Sequence, residues 1–320
     1  MIVTFPHYET NRLRRSGQLR PEREILRVAA KRLAIQLYNP LMLFDSLAIV
    51  GVGLIGGSVG LAAKARAATR HVVGIGRNAD TLAQARSLGV IDEFSTDLAA
   101  VASADMVVFC SPVDQIARQA REAASHAKPG VLFTDAGSTK ANIVRDLERQ
   151  LPPHIRFVGA HPLAGSEKQG AENARVDLFQ DRVCVITPTA ITDIAATERV
   201  SLFWQALGCK VKRLTPEEHD LALATTSHLP HFVAALLAGQ LPAKWREFTA
   251  TGFRDTTRIA AGDPALWTAI ARENSLALSH ALDEFGMRVD KLRNAVLNSD
   301  GETLTQLLAE GKKVRDALGS

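Results

Sequence analysis

Short apolar runs alternate with amphipathic stretches between about residues 46 and 188. The runs predict buried strands at Leu47–Val50, Val72–Ile75, Met106–Cys110, Val131–Thr134, Phe157–Gly159 and Val183–Ile186. Amphipathic segments that predict helices separate most of them, as at Thr81–Leu88, Gln115–Ala127 and Lys140–Gln150. This alternation is typical of a doubly wound, mainly parallel sheet.

Strand signals stop after Thr187-Pro188, and the rest of the chain predicts helices alone. We expect these helices at Ile191–Leu207, Glu217–Thr226, Leu229–Gln240, Pro264–Val289 and Leu304–Leu318. Their apolar faces predict packing against a second copy of the chain as well as against the sheet. The fold class is therefore α/β: a Rossmann-type doubly wound sheet domain over residues 42–188, then an all-helical domain over residues 189–320.

Basic charge is concentrated in the first 41 residues. Eight Lys and Arg against three acids leave that stretch at +5, whereas the whole chain is +4, so residues 42–320 sum to −1. The near-neutral body gives no support for a nucleic-acid partner. The stretch lacks the apolar segment and cleavage site of a signal peptide. We expect Met42 to be the working start and residues 1–41 to be a disordered or mis-called extension.

Composition is otherwise that of a soluble globular protein, with 46% hydrophobic and 22% charged residues. Three scattered cysteines do not suit a disulfide framework, which favours a reducing cytoplasm. Ser46–Ala63 is uncharged and long enough to span a membrane, but glycines divide it into strand-like and helix-like parts. We therefore expect no membrane partner.

A glycine-rich turn follows the first predicted strand, with Gly51-x-Gly53-x-x-Gly56 leading into a helix. Such a turn permits a sharp bend, close approach of a pyrophosphate and tight helix–strand packing. It predicts dinucleotide binding. The expected cofactor contacts are Gly51, Gly53, Leu54, Ile55, Gly56, Arg77 and Ser111.

The second strand ends in Gly76-Arg77-Asn78, where an NAD-preferring site usually has an acid. A missing acid beside a guanidinium favours the 2′-phosphate of NADP. Arg77 could instead stack on adenine, in which case either NAD or NADP would bind.

Two loops follow strands at the edge of the sheet where ligands bind, Asp135–Lys140 and Gly159–Pro162. They bring Ser138 and His161 towards the nicotinamide. A histidine is suited to take a hydroxyl proton as hydride leaves the same carbon. The alternative is a structural histidine beside a turn.

The helical part adds Ser227, His228, His231 and Arg258 as candidates. Two imidazoles three residues apart could serve a metal, but no carboxylate cluster accompanies them, so we expect none. Arg258 could grip a carboxylate or be a solvated surface residue. The chain has two tyrosines, both upstream of the sheet, which excludes short-chain dehydrogenases with their tyrosine base.

Together the motifs resemble those of the prephenate/arogenate dehydrogenase family, in the same order and over roughly residues 45–290. The motifs are Gly51–Gly56, Asp135-x-Gly137-Ser138-x-Lys140, His161-Pro162-x-Ala164-Gly165-x-Glu167, Ser227-His228-Leu229-Pro230-His231 and Gly252-Phe253-x-Asp255-x-Thr257-Arg258. The resemblance implies NAD(P)-dependent oxidative decarboxylation of prephenate, arogenate or both, in tyrosine biosynthesis. It also implies a homodimer formed through the helical domain, and the chain looks monofunctional.

By motif position, the resemblance implies that His161 accepts the hydroxyl proton while Ser138 orients it and the substrate. Arg258 would hold the ring carboxylate. The remaining substrate contacts would be Ser227, His231 and Glu167, with Trp267 near the domain or subunit contact.

Two alternatives stay open: a β-hydroxy-acid dehydrogenase of related architecture, and a non-catalytic NADP-sensing module. The sequence does not decide between prephenate and arogenate.

Overall fold

A computed structural model describes residues 42–166 and 168–319. The expected extension, residues 1–41, and the candidate site residue Glu167 lie outside the described residues.

The described residues form one eight-stranded sheet with the order β3-β2-β1-β4-β5-β6-β7-β8. Its strands are β1 (Phe44–Val50), β2 (Thr69–Ile75), β3 (Glu93–Ser95), β4 (Met106–Phe109), β5 (Leu132–Asp135), β6 (Arg156–Pro162), β7 (Val183–Thr187) and β8 (Lys210–Arg213). All neighbours pair in parallel except β6 and β7, which are antiparallel. The six predicted strands and the doubly wound fold class are confirmed.

Helices flank the sheet and make up most of the chain after it. The helices are α1 (Leu54–Ala65), α2 (Ala79–Ser87), α3 (Val113–Ala124), α4 (Ala141–Gln150), α5 (Ile194–Ala206), α6 (Pro216–Leu223), α7 (Leu229–Gly239), α8 (Thr251–Thr257), α9 (Pro264–Glu273), α10 (Ser275–Leu297) and α11 (Gly301–Ala317). A π-helical turn, Ala224–His228, joins α6 to α7, and a 3₁₀ turn, Arg258–Ala261, follows α8.

Alternate residues of the central strands face two separate cores. Leu47 and Ile49 pack in the cluster on one side, which includes Trp204 of α5. Ala48 and Val50 pack in the cluster on the other side, which includes Ile270 of α9. Burial of both faces explains why β1 reads as a continuous apolar run, since side chains alternate across a strand. The contact of Ile270 also shows that the helical part packs on the sheet.

Two expectations about residues 189–320 are wrong. β8 pairs in parallel with β7, so the sheet runs to Arg213, beyond residue 188 where strands were expected to end. β8 has the sequence Lys-Val-Lys-Arg and lies at the sheet edge, where charged side chains remain in solvent and mask the strand pattern. The helix expected over Pro264–Val289 is interrupted at Asn274, whose φ of −114° and ψ of 36° are not helical.

Candidate active site

Steric constraints explain two glycines of the turn between β1 and α1. Gly51 has a φ of +96°, and a Cβ atom there would lie 2.9 Å from backbone atoms of Cys110 and Ser111. A Cβ on Gly56 would lie 2.1 Å from the carbonyl oxygen of Gly51. A Cβ on Gly53 would instead meet open space. The turn is therefore tightly packed on the protein side and open at Gly53, where a ligand could approach the backbone.

The first turn of α1 can bind an anion. Its N-cap, Gly53, provides no side-chain hydrogen bond, and the amide of Gly57 donates to Gly53 O. The N–H groups of Leu54, Ile55 and Gly56 consequently have no partner within the helix. Free N–H groups and the positive end of the helix dipole favour a phosphate. The turn thus fits the pyrophosphate of a dinucleotide.

Two further expected cofactor contacts follow the strands on either side of β1. Arg77 comes after β2 and is exposed. Ser111 comes after β4, and its hydroxyl lies 3.4 Å from the carbonyl oxygen of Val50. Both residues are therefore at the carboxyl edge of the sheet, together with the glycine turn.

A buried ion pair between Asp135 and Lys140 shapes the loop after β5. Neither side chain is exposed to solvent. Asp135 Oδ1 also accepts from the amide of Ala160 at 2.9 Å, and Oδ2 accepts from the amide of Gly137 at 2.9 Å. The carboxylate therefore fixes both its own loop and the residue of β6 that precedes His161.

His161 lies near the carboxyl end of β6, opposite Val185 of β7. Its Nδ1 atom is 2.8 Å from Nε2 of His219. Burial, followed by the neighbouring His219, Lys140 and His228, lowers the pKa of His161 well below that of an ordinary histidine. The imidazole is consequently neutral at pH 7 and able to accept a proton.

His219 and Asp220 are functional candidates that sequence reasoning misses. His219 Nδ1 is 2.8 Å from Asp220 Oδ1. Asp220 also accepts from two amides at the start of α4, those of Lys140 at 2.8 Å and Ala141 at 2.9 Å. Burial lowers the pKa of His219, and hydrogen bonding to Asp220 opposes this shift. The helical part thereby holds the sheet loop and the histidine at once.

Ser138 lies half-buried in the loop after β5. No hydrogen bond joins it to His161 among the residues that the structure describes, and the Nδ1 atom of His161 is held by His219 instead. The role expected for Ser138 in orienting His161 stays a prediction.

The motif Ser227–His231 spans the end of the π turn and the start of α7, which begins at Leu229 and continues from α6 through that turn. Buried His228 lies with Nδ1 3.2 Å from the amide nitrogen of Asn274, and burial lowers its pKa to about 4. His231 stacks on Trp267 with ring centroids 3.5 Å apart and planes 11° apart. Burial also lowers the pKa of His231. Short π segments are frequent at functional sites.

Arg258 begins the 3₁₀ turn that packs against α7, the helix of His231, and it is exposed. Its side chain is therefore free to meet a ligand, although no described contact joins it to His161. Within residues 42–166 and 168–319, no group of three or more His, Cys, Asp or Glu is arranged to hold a metal ion.

The segment Pro216–Gly239 is the one stretch among the described residues that is long and apolar enough to cross a membrane, with a mean hydropathy of 1.4. It carries His219, Asp220, His228 and His231, whose side chains contact other parts of this chain. Its polar groups are thus used within the fold, beside the candidate site.

Comparison with known families matches both halves of the chain. The nucleotide-binding domain of prephenate dehydrogenase matches residues 59–213, and the dimerization domain of prephenate dehydrogenase matches residues 215–310. The chain belongs to the prephenate dehydrogenase family. It is accordingly an NAD(P)-dependent oxidoreductase, and the family, the activity class of oxidative decarboxylation in tyrosine biosynthesis and the cofactor class expected from the sequence are confirmed.

Individual relatives in the prephenate dehydrogenase family match along most of their length. The chain is 36% identical to cyclohexadienyl dehydrogenase of Zymomonas mobilis over 283 residues, covering 86% of this chain and 96% of the relative. It is 36% identical to prephenate dehydrogenase of Bacillus subtilis over 282 residues, covering 86% of this chain and 76% of that one. The A. aeolicus prephenate dehydrogenase solved with hydroxyphenyl propionate and NAD+ is 32% identical with a TM-score of 0.80, covering 86% and 98% of the two chains.

Proposed function

We propose that this protein oxidatively decarboxylates prephenate, arogenate or both, with His161 as the base. The observation that carries the proposal is the neutral imidazole of His161 at the carboxyl edge of the sheet, anchored through Nδ1 on the side of His219. The anchored nitrogen leaves Nε2 as the atom available to a substrate hydroxyl.

The proposed reaction requires little acid catalysis or metal catalysis from the protein. His161 takes the proton of the ring hydroxyl while hydride leaves the same carbon. The nicotinamide, when bound, supplies the hydride acceptor. The carbon–carboxylate bond then breaks, carbon dioxide leaves, and its electron pair aromatises the ring. The phenolate oxygen finally regains a proton from His161, so the protein must supply a base, an anchor and alignment.

The other candidate residues would bind the substrate's charged and polar ends. Exposed Arg258 would grip a carboxylate by charge-assisted hydrogen bonds. His231 and Ser227 would line the far end of the pocket, and Ser138 would bind the substrate near His161. By motif position alone, Glu167 would be a further substrate contact. Support for this assignment comes from motif position and from the packing of the Arg258 turn on α7.

For the cofactor, exposed Arg77 supports a preference for NADP over NAD, because Gly76, Arg77 and Asn78, the residues directly after β2, include no carboxylate that would repel a 2′-phosphate. Free, mostly buried cysteines support a cytoplasmic location. We place the boundary between cofactor and substrate domains at residues 213–215, where the two matched family segments meet.

The protein would act as a homodimer formed by the helical domain. Five exposed apolar residues of α10 recur at three- and four-residue spacing, which places them on one face of the helix: Leu282, Phe285, Val289, Leu292 and Val296. A second copy would cover this stripe, in line with the description of the matched segment as a dimerization domain.

The test is the absorbance of reduced cofactor with purified protein, crossing prephenate and arogenate with NAD and NADP. Turnover is expected in at least one combination, and the fastest combination gives the preferred substrate and cofactor. Silence in all four despite cofactor binding would overturn the proposal and favour a sensing module.

Two variants test the residue roles. His161→Asn should lower kcat by about 10²–10⁴-fold with KM little changed, whereas exposed His126→Asn is the matched control. Arg258→Ala should raise KM by about ten- to a hundredfold, with neighbouring exposed Arg254→Ala as its control. An unchanged KM in Arg258→Ala would remove that assignment.

A further inference from the structure

Three side chains form a continuous hydrogen-bonded row behind the proposed base. His161 Nδ1 is 2.8 Å from His219 Nε2, and His219 Nδ1 is 2.8 Å from Asp220 Oδ1. His219 is fully buried and Asp220 nearly so. Both ring nitrogens of buried His219 therefore have a protein atom as hydrogen-bond partner.

The far end of the row fixes the position of every proton along it. Asp220 Oδ1 accepts from the amide of Lys140, and Oδ2 accepts from the amide of Ala141. Oδ1, the oxygen that faces His219, thus already accepts an amide hydrogen, and we take it as the acceptor of the second bond as well, so the hydrogen of that bond belongs to His219 Nδ1.

A neutral imidazole with a hydrogen on Nδ1 carries a lone pair on Nε2. His219 must then accept at Nε2, so the hydrogen of the 2.8 Å bond belongs to Nδ1 of His161. His161 in turn has its lone pair on Nε2, which is the form that a base needs.

We infer that His219, held by Asp220, is a positioning residue that keeps His161 in the tautomer with an unprotonated Nε2. The inference rests on the proposed role of His161 as the base, and it adds what sets its tautomer. A carboxylate that acts on a catalytic histidine through one hydrogen bond does the same in serine proteases; here a second imidazole stands between the two.

The row also stabilises the charge that catalysis creates. When His161 gains a proton at Nε2, its Nδ1 hydrogen points at the lone pair of His219, and the positive charge lies in line with the Asp220 carboxylate. This arrangement offsets part of the cost of a charged imidazole in a buried site.

The first test is the tautomer itself. ¹⁵N-histidine NMR of the full protein at neutral pH should show His161 protonated at Nδ1 and unprotonated at Nε2. In His219→Leu, which keeps an apolar side chain of useful volume but has no acceptor, the Nε2–H form should gain population. Finding Nε2 protonated in the unaltered protein, or no change in His219→Leu, would overturn the inference.

The second test is kinetic and separates positioning from packing. His219→Leu should lower kcat by about 10- to 100-fold with KM within about twofold, by analogy with the loss of a hydrogen-bonding partner of a metal-bound histidine. His219→Gln, whose side-chain oxygen can accept from His161 Nδ1, should keep more of kcat than His219→Leu. If His219 only fills space, leucine would be tolerated better than buried glutamine, and that order would refute the inference.

The two proposals fail in distinguishable ways. Absence of turnover in the unaltered protein would count against the proposed reaction, whereas the NMR result needs no turnover. Exposed His126→Leu serves as the control for replacing a histidine by leucine.

Discussion

Replacing Lys140 by methionine should strip the Asp135 carboxylate of its cation inside the protein. Both side chains are fully buried, so no solvent can replace the lost ammonium group. Asp135 would keep only its bonds from the amides of Gly137 and Ala160, each 2.9 Å. Breaking one side of a buried ion pair costs about 3–5 kcal/mol.

Urea unfolding measures this cost. With an m-value of about 3 kcal/mol/M, the unfolding midpoint of Lys140→Met should fall by roughly 1–1.7 M. Circular dichroism and tryptophan fluorescence should be followed together without cofactor and at one protein concentration, since ligands and assembly shift the midpoint.

Lys128→Met is the matched control. Lys128 pairs with Asp105 at 2.6 Å, but its side chain is 43% exposed and that of Asp105 29% exposed. Such a pair contributes about 0–1 kcal/mol. If Lys140→Met lowers the midpoint no further than Lys128→Met does, the argument that the buried pair stabilises the loop fails.

Three further outcomes are expected. If His161 is the base, as proposed, turnover needs its neutral form; burial with neighbouring His219 and Lys140 lowers its pKa, so the acid limb of kcat/KM should have its midpoint below the pKa of an ordinary histidine, and a midpoint at or above pH 6.5 would contradict this. Arg77→Ala should weaken NADP binding by about tenfold and leave NAD binding unchanged, as measured by calorimetry, and equal losses for both cofactors would remove the 2′-phosphate assignment. Leu292→Asp should yield monomers in sedimentation velocity, whereas Leu88→Asp, on an exposed residue of the sheet domain, should not; a persistent Leu292→Asp dimer would place the interface elsewhere.

The inner parallel strands could be predicted because their burial is visible in the sequence of each strand by itself. A strand covered on both faces, such as β1, is an uninterrupted apolar run in the sequence. The edge strands could not, because β3 is three residues long and β8, Lys-Val-Lys-Arg, has a single apolar residue. Their strand character comes from hydrogen bonds to neighbours, which the sequence pattern does not contain.

Of the candidate site, too, only part could be predicted from the sequence. His161 and the glycine turn could be predicted because His161 lies at the carboxyl end of β6 and the turn follows β1, both at the ligand-binding edge of the sheet. His219 could not, because Glu217–Asp220 has the composition of an exposed, charged first turn. The sequence does contain a capping box between Thr215 and Glu218, which predicts where α6 begins. It does not predict which residues the side chains of α6 contact.

Asn274 shows the same limit at a helix boundary. Neither proline nor glycine marks the break between α9 and α10. The Asn274 side chain donates to the carbonyl oxygen of Asp220 and lies 3.2 Å from His228 Nδ1. These bonds across the fold compensate for the interrupted helix, and no local pattern predicts them.

His219 and Asp220 belong to the matched dimerization segment. Their side chains bind His161, Lys140 and Ala141, which all belong to the matched nucleotide-binding segment. The two segments are therefore not interchangeable modules. A chimera that joins this nucleotide-binding half to a foreign partner would inherit His161 intact, yet could lose its tautomer and the anchoring of α4 together. We expect a foreign helical half to keep both contacts only where its helix carries a histidine and an aspartate directly after the capping box, as α6 does here.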